Sequence, residues 1–177
     1  MNTALQNESA LQGEQAAPRR VLFVCTGNTC RSPMAAAVLN HLSRPRGVCS
    51  MGEDAPRLHY VATSAGLFAA EGDPISPHAV AALREAGVIP TPQNDYPAHR
   101  ARLVSEQLVR EADLVVGLSA SHAMQLIQRF PEAADKITAL PMDIPDPYGG
   151  TLAEYSACLA RLSLCIELAF VPTEGEG

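Results

Sequence analysis

Residues 21–33 read VLFVCTGNTCRSP, a short apolar run followed by a small polar loop. Four consecutive apolar residues, 21–24, are typical of a strand that is buried on both faces, as in a parallel sheet. Ser32 and Pro33 follow the loop, and these residue types are favoured at the cap and at the first position of a helix. The stretch therefore predicts a strand, a tight loop and a helix over 34–42.

Apolar runs continue to alternate with helical patterns as far as residue 170. Alternating strands and helices predict βαβ units and a parallel sheet. We therefore expect one α/β domain, in which helices flank a four-stranded parallel sheet. The further strands are predicted at 58–63, 114–118 and 137–140, and the further helices at 76–87, 102–112, 119–129 and 151–170.

The ends of the chain differ in composition from its middle. Residues 1–19 are polar and lack periodicity, which predicts a disordered N-terminal tail. The folded domain is expected over 20–171, with a short C-terminal tail over 172–177. Two loop insertions are predicted, at 46–57 and 90–98.

Charge and composition exclude several classes of protein. A net charge of −6 argues against nucleic-acid binding, which usually needs a basic face. No apolar run approaches the ~20 residues of a membrane span, and residues 1–20 lack the basic start and apolar segment expected of a secretory signal. Five cysteines, an odd number, in a chain large enough to bury a core predict a cytoplasmic protein with reduced thiols.

The loop between the first strand and its helix carries a Cys, five residues and an Arg. Inward-facing backbone amides and the helix dipole can bind an anion there, and Arg31 can hold two of its oxygens. The same positive environment favours the thiolate of Cys25, the reactive form of a cysteine. A nucleophile at the floor of a phosphate cradle indicates covalent phosphoryl transfer. The alternative is an inert buried cysteine, or a nucleotide loop, although both common nucleotide motifs are absent.

The sequence resembles the low-molecular-weight protein-tyrosine phosphatase family, which also contains protein-arginine phosphatases. The resemblance covers about residues 20–170, and it implies the fold expected above. Its motifs are VLFVCTGNTCRSPMA at 21–35, VATSAG at 61–66, AHRAR at 98–102 and DIPDPYGG at 143–150.

The resemblance implies a role for each matching residue. Cys25 would be the nucleophile, and Arg31 would clamp the phosphate. Asp146 would be the general acid, which protonates the leaving group and then activates the water that hydrolyses a phosphocysteine. No metal or cofactor is implied. The residues expected to bind substrate are Thr26, Gly27, Asn28, Thr29, Cys30, Ser32 and Tyr148.

Supporting residues are implied in the same way. Ser32 would donate a hydrogen bond to the thiolate, and Asn28 would hold the loop in shape by side-chain bonds to Ser64 and His99. Asp143 is expected to be a turn residue rather than a second carboxylate at the site. The remaining candidates are expected to be surface or packing residues: His41, His78, His122, Arg100 and Arg102.

Thr29 separates the two substrate classes of the family. Tyrosine-directed members usually carry an aliphatic residue there, which packs on a phenyl ring, whereas members directed at phosphoarginine tend to carry Thr. The single aromatic Tyr148 after Asp146 agrees with the second class. We therefore expect a phosphatase acting on phosphoarginine in phosphorylated proteins, with phosphotyrosine as the alternative.

Three further hypotheses remain open from the sequence. Arsenate reduction uses a similar loop but needs a cysteine relay, which Cys158 and Cys165 on the last helix are poorly placed to supply. An inactive phosphoresidue-binding module is disfavoured because nucleophile, clamp and acid are all present. Peroxide could link Cys25 to Cys30 as a reversible disulfide. The sequence does not indicate an oligomeric state.

Overall fold

The computed structural model describes residues 17–43 and 59–172. Most of the predicted N-terminal tail, the insertion at 46–57 and all but the first residue of the C-terminal tail lie outside these ranges. The first strand begins at Arg19, the last residue of the predicted tail.

Four parallel strands form one sheet in the order β2-β1-β3-β4. The strands are β1 (Arg19–Cys25), β2 (Tyr60–Gly66), β3 (Leu114–Gly117) and β4 (Ile137–Ala139). The α/β prediction with a four-stranded parallel sheet is therefore confirmed. Because β1 pairs on both sides, its carboxyl end, where Cys25 lies, is at the centre of one sheet edge.

Helices cover both faces of the sheet. They are α1 (Arg31–Leu42), α2 (Pro77–Glu85), α3 (Glu106–Glu111), α4 (Ala120–Arg129) and α5 (Leu152–Phe170), with 3-10 turns at Tyr96–Ala98 and Pro131–Lys136.

The side chains of successive β1 residues pack alternately into two separate hydrophobic cores. Phe23 packs with α1, α2 and α5, whereas Leu22 and Val24 pack with α3 and α4. Burial on both faces explains the continuous apolar run of this strand.

Ser32 is not the cap of α1, contrary to the sequence prediction. The helix begins at Arg31, Cys30 occupies the cap position, and no side chain caps the first turn. The Ser32 hydroxyl is used elsewhere, since it lies 3.0 Å from Cys25 Sγ and 3.3 Å from Ala65 O, the two acceptors within reach of its proton. At the start of α5, Thr151 and Glu154 form a capping box.

Two further boundaries differ from the prediction. Ser64 lies within β2 rather than in the loop after it, because pairing with β1 continues to Gly66. The helix predicted over 102–112 is the six-residue α3, capped by Ser105. The first residues of the predicted helix, 102–104, are extended instead, since Leu103 forms a β-bridge with Gly66 and Val104 N donates to Gly66 O.

Candidate active site

The phosphate loop, residues 25–31, directs polar groups at the sulfur of Cys25. This residue is only 2% exposed at the end of β1. The Asn28 amide donates to Cys25 Sγ at 3.3 Å, and the Ser32 hydroxyl lies 3.0 Å from the same sulfur. Ser32 Oγ accepts a hydrogen bond from Asn28 Nδ2 at 2.9 Å. Its single proton can go to Cys25 Sγ at 3.0 Å or to Ala65 O at 3.3 Å, and a thiolate is the stronger of these two acceptors. Two donors of this kind stabilise a thiolate in a buried position.

Asn28 organises the loop from beneath. It is fully buried and, among the described residues other than glycine, it is the one with a positive φ, 58°. Its Nδ2 donates to Ser64 Oγ at 2.9 Å as well as to Ser32, and its Oδ1 accepts from Arg102 N at 2.9 Å. These bonds offset the strain of the left-handed backbone, which costs about 1–2 kcal/mol.

His99 supports the same residue through its backbone. The ring Nε2 lies 2.8 Å from the Asn28 carbonyl oxygen, so this nitrogen donates. The predicted hydrogen bond between the Asn28 side chain and Ser64 is therefore present. The one predicted between the Asn28 side chain and His99 is not, because Arg102 N donates to Asn28 Oδ1 and His99 bonds the backbone carbonyl instead. Burial lowers the pKa of His99 from its usual 6.5, and the bond to Asn28 partly opposes that shift.

Arg102 is a structural residue rather than a solvated charge, which corrects the sequence prediction. Its Nε donates to Ser64 O at 2.9 Å, while its amide holds Asn28. Arg100 is exposed and bonds the carbonyls of Ala98 and His99.

Asp146 lies over the loop, as expected of a residue that follows the last strand. Its Oδ2 is 2.7 Å from Arg31 Nη2, in an ion pair whose side chains are 47% and 8% exposed respectively. Arg31 Nη1 also donates to Ile144 O at 3.3 Å. Arg31 Nε is buried and has no acceptor among the described residues. A buried donor without a partner is costly, so an oxyanion bound in the loop would stabilise it.

These residues surround a cavity of about 280 Å³ whose floor is the phosphate loop. Beyond the predicted residues, the loop after β2 contributes Phe68, Ala70 and Asp73 to the wall. Phe68 and Tyr148 are 71% and 77% exposed, and both line the cavity. Sequence reasoning missed Phe68 and Asp73, although the position of their loop after a parallel strand was a usable signal.

Cys30 faces α5. Its Sγ lies 3.1 Å from the Tyr155 hydroxyl, which also accepts from Ser76 Oγ at 3.0 Å. Burial raises the pKa of Cys30, and it raises the pKa of Tyr155 to about 12. Tyr155 was missed by the sequence analysis, since a tyrosine on a late helix gives no local signal. The disulfide between Cys25 and Cys30 stays a prediction.

Residues at the start of α4 complete the surroundings. His122 is 5% exposed and bonds the loop residue Thr26 and the helix cap Ser119, so it belongs to this site rather than to the surface. Asp143 Oδ1 accepts from Ala120 N at 2.9 Å, which agrees with a structural role at a turn. In the described part of the chain, no group of three His, Cys, Asp or Glu side chains is placed to hold a metal.

None of the helices within 17–43 and 59–172 combines the length and the apolar character that a membrane span requires. All four described cysteines are free thiols.

The comparisons with known proteins agree with this geometry. The protein-arginine-phosphatase of Geobacillus stearothermophilus is 38% identical over 157 residues, which cover 85% of this chain and 93% of the relative. A low molecular weight protein-tyrosine-phosphatase of Streptomyces coelicolor is 35% identical over 154 residues, covering 79% and 84%. The solved structure of a low molecular weight protein tyrosine phosphatase from T. tengcongensis superposes with a TM-score of 0.72 at 39% identity, covering 84% and 95%.

The family model described as low molecular weight phosphotyrosine protein phosphatase matches residues 20–169, nearly all of the described chain. The chain therefore belongs to the low molecular weight phosphotyrosine protein phosphatase family, and it is a cysteine-based protein phosphatase.

Proposed function

We propose that this phosphatase hydrolyses phosphoarginine in proteins through a phosphocysteine intermediate. The observation that carries the choice of substrate is Thr29, whose half-buried side chain lines the cavity. A hydroxyl there suits a polar guanidinium or a bound water, whereas an aliphatic side chain would suit a phenyl ring. The names of two relatives, protein-arginine-phosphatases at 38% and 32% identity, support the proposal.

The first step forms a bond between Cys25 Sγ and phosphorus and breaks the bond from phosphorus to the arginine nitrogen. Asp146 donates its proton to that nitrogen as it leaves. Arg31 stabilises the charge on the transferred oxygens, for which its unpartnered Nε is available. In the free protein Asp146 is paired with Arg31 as a carboxylate, so binding of the phosphoryl group must displace it from Arg31. Asp146 takes up a proton from water before it acts as the acid.

The second step returns the enzyme to its starting state. A water molecule attacks phosphorus, and Asp146, now a carboxylate, takes its proton. The bond from sulfur to phosphorus breaks, inorganic phosphate leaves, and the thiolate of Cys25 is regenerated beside the Asn28 amide and the Ser32 hydroxyl.

The charges around the cavity suit a cationic substrate. Two of its lining residues are carboxylates, Asp73 and Asp146, and among the described residues that line it, Arg31 at the floor is the one with a cationic side chain. A guanidinium held above the phosphoryl group would therefore meet the negative side chain of Asp73, and that of Asp146 once it has given up its proton. Free thiols in the described chain fit the reducing cytoplasm, where we place the reaction.

Phosphotyrosine is the alternative substrate, and one observation favours it. Phe68 supplies a second exposed aromatic side chain beside Tyr148, so a phenyl ring could also be held at the mouth. Arsenate reduction is less well supported, since Cys158 and Cys165, the two thiols on α5, are both buried.

The test compares kcat/KM on phosphoarginine and phosphotyrosine peptides of otherwise identical sequence. The wild type is expected to prefer phosphoarginine. Thr29→Ile should move the ratio about tenfold or more towards phosphotyrosine, since one polar contact is lost. Thr29→Ser, which keeps the hydroxyl, is the matched control. A wild type that prefers phosphotyrosine would overturn the proposal.

A further inference from the structure

His122 connects the start of α4 to the phosphate loop by a continuous set of contacts. Its Nε2 lies 3.0 Å from Thr26 Oγ1, and its Nδ1 lies 2.8 Å from Ser119 Oγ. Arg31 Nη2, which also binds Asp146, approaches the same Thr26 oxygen at 3.5 Å. His122 on α4 therefore contacts the phosphate loop at Thr26, whose side-chain oxygen is also close to the Arg31 guanidinium.

The backbone is built for this approach. At the end of β3, a Cβ on Gly117 would lie 2.6 Å from Ala123 N and 3.1 Å from His122 Cβ, so only glycine lets α4 come this close. Ser119 then caps α4 by accepting from His122 N at 3.3 Å. The close approach of α4 to Gly117 and the Ser119 cap together fix the position of the His122 imidazole relative to Thr26.

The hydrogen bonds favour one tautomer of His122. If the Ser119 hydroxyl donates to Nδ1, then Nε2 carries the ring proton and donates to Thr26. In the opposite tautomer, the Ser119 oxygen would receive two hydrogen bonds, and its own proton would face no acceptor among the described residues. Burial and the nearby Arg31 charge lower the pKa of His122 below its usual 6.5, with Asp146 and Asp143 opposing, which favours the neutral ring at neutral pH.

The Thr26 oxygen then faces two donors, His122 Nε2 and Arg31 Nη2. Its own proton has no acceptor among the described residues, and the side chain is exposed to the cavity that it lines. A phosphoryl dianion above Cys25 would attract that proton, because a hydrogen bond to a charged acceptor is stronger than one to a neutral group.

We propose that His122 is a positioning residue of the phosphatase reaction, which holds the Thr26 hydroxyl so that it donates to an oxygen of the transferred phosphoryl group. Thr26 would be the residue that touches the substrate. His122 would act only through it. The proposal applies to either phosphoarginine or phosphotyrosine, since it concerns the group that both share.

The direct test measures kcat and KM with para-nitrophenyl phosphate, and the inhibition constant of inorganic phosphate. Thr26→Val, which keeps the shape but removes the hydroxyl, should lower kcat/KM about 10- to 100-fold and weaken inhibition by phosphate. Thr26→Ser should stay within about threefold of the wild type. Unchanged kinetics in Thr26→Val would overturn the proposal.

A double-mutant cycle separates positioning from simple structural support. His122→Leu should lower kcat/KM about 5- to 20-fold in the wild type, but by less than about twofold in the Thr26→Val background. His122→Gln, whose amide can replace the Nε2 donor, should recover most of the activity. If His122→Leu costs the same factor in both backgrounds, or if His122→Gln recovers nothing, His122 does not act through Thr26.

Discussion

The phosphate loop and the acid loop, residues 143–150, face each other across one cavity but are built in opposite ways. In the phosphate loop, Cys25 and Asn28 are buried, and partners from β2, α1 and the AHRAR segment surround them. In the acid loop, the side chains of Asp146 and Tyr148 are largely exposed, and Asp146 is held by Arg31 and by the Tyr148 amide.

This difference follows from what each loop must do. An oxyanion cradle is effective when its donors are fixed in advance, so its supports are buried and numerous. The proposed acid must change partners during a reaction cycle, and its half-exposed carboxylate can leave Arg31 for water. Substitutions should therefore fall into three groups: those that lower turnover, those that destabilise the phosphate loop, and those that do neither.

The largest effect is expected from Cys25→Ser, which removes the proposed nucleophile and leaves the cradle intact. Turnover should be abolished, because a neutral hydroxyl is a far weaker nucleophile than a thiolate. Binding of inorganic phosphate, measured by calorimetry, should persist, because Arg31 and the loop amides remain. Cys165→Ala, which removes a buried thiol from α5, is the control. Turnover near that of the wild type in Cys25→Ser would refute the mechanism.

The acid loop is tested by Asp146→Asn. We expect kcat on phosphotyrosine peptides to fall about 10²- to 10⁴-fold, since the leaving group loses its proton donor. The loss should be smaller for activated phenols, which leave without a proton. Rates over a series of phenyl phosphates measure this, and an equal loss for all leaving groups would exclude Asp146 as the acid.

The supports of the phosphate loop are tested by Asn28→Ala. The free energy of unfolding should fall by about 2–4 kcal/mol, because three buried hydrogen bonds are lost and a left-handed residue keeps its strain. Asn28→Gly should be less destabilising by about 1 kcal/mol, since glycine adopts this φ freely. Tyr148→Ala, in the exposed acid loop, is the control and should change stability by no more than about 0.5 kcal/mol. Equal losses for Asn28→Ala and Tyr148→Ala, measured by urea denaturation, would contradict the contrast between the loops.

The smallest effect concerns pH. His99 and His122 both have folded pKa values below the unfolded 6.5, so the unfolded chain binds protons first as the pH falls. Their contribution to stability is complete above pH 6.5 and is lost as the pH falls from there towards the lowered folded pKa values. The urea midpoint should therefore drop between pH 7.5 and 5.5, and His122→Gln should reduce that drop. A drop of the same size in His122→Gln would show that this residue does not contribute.

Much of this architecture could be predicted from local patterns. The four strands and the helices α1, α2, α4 and α5 follow from apolar runs, caps and breakers, and the loop after β1 follows from its strand and helix. The errors share one cause, which is tertiary competition for polar groups and backbone. Ser32 does not cap α1, because its hydroxyl lies within hydrogen-bond distance of Cys25 Sγ and Ala65 O instead. The segment from Arg102 to Ser105 is extended because it pairs with the end of β2.

By itself, the sequence determined the fold class, the family and the set of residues at the carboxyl edge of the sheet, because strand-and-helix alternation places those loops together. Only the tertiary structure decided which atoms meet. Sequence spacing carries no information on whether His122 reaches Thr26, whether Tyr155 holds Cys30, or whether Phe68 and Asp73 line the cavity. These contacts depend on how closely α4, α5 and the loop after β2 pack on the sheet. Gly117 allows the close approach of α4, and Gly66 allows the close approach of the phosphate loop, because a Cβ at either position would clash with these neighbours.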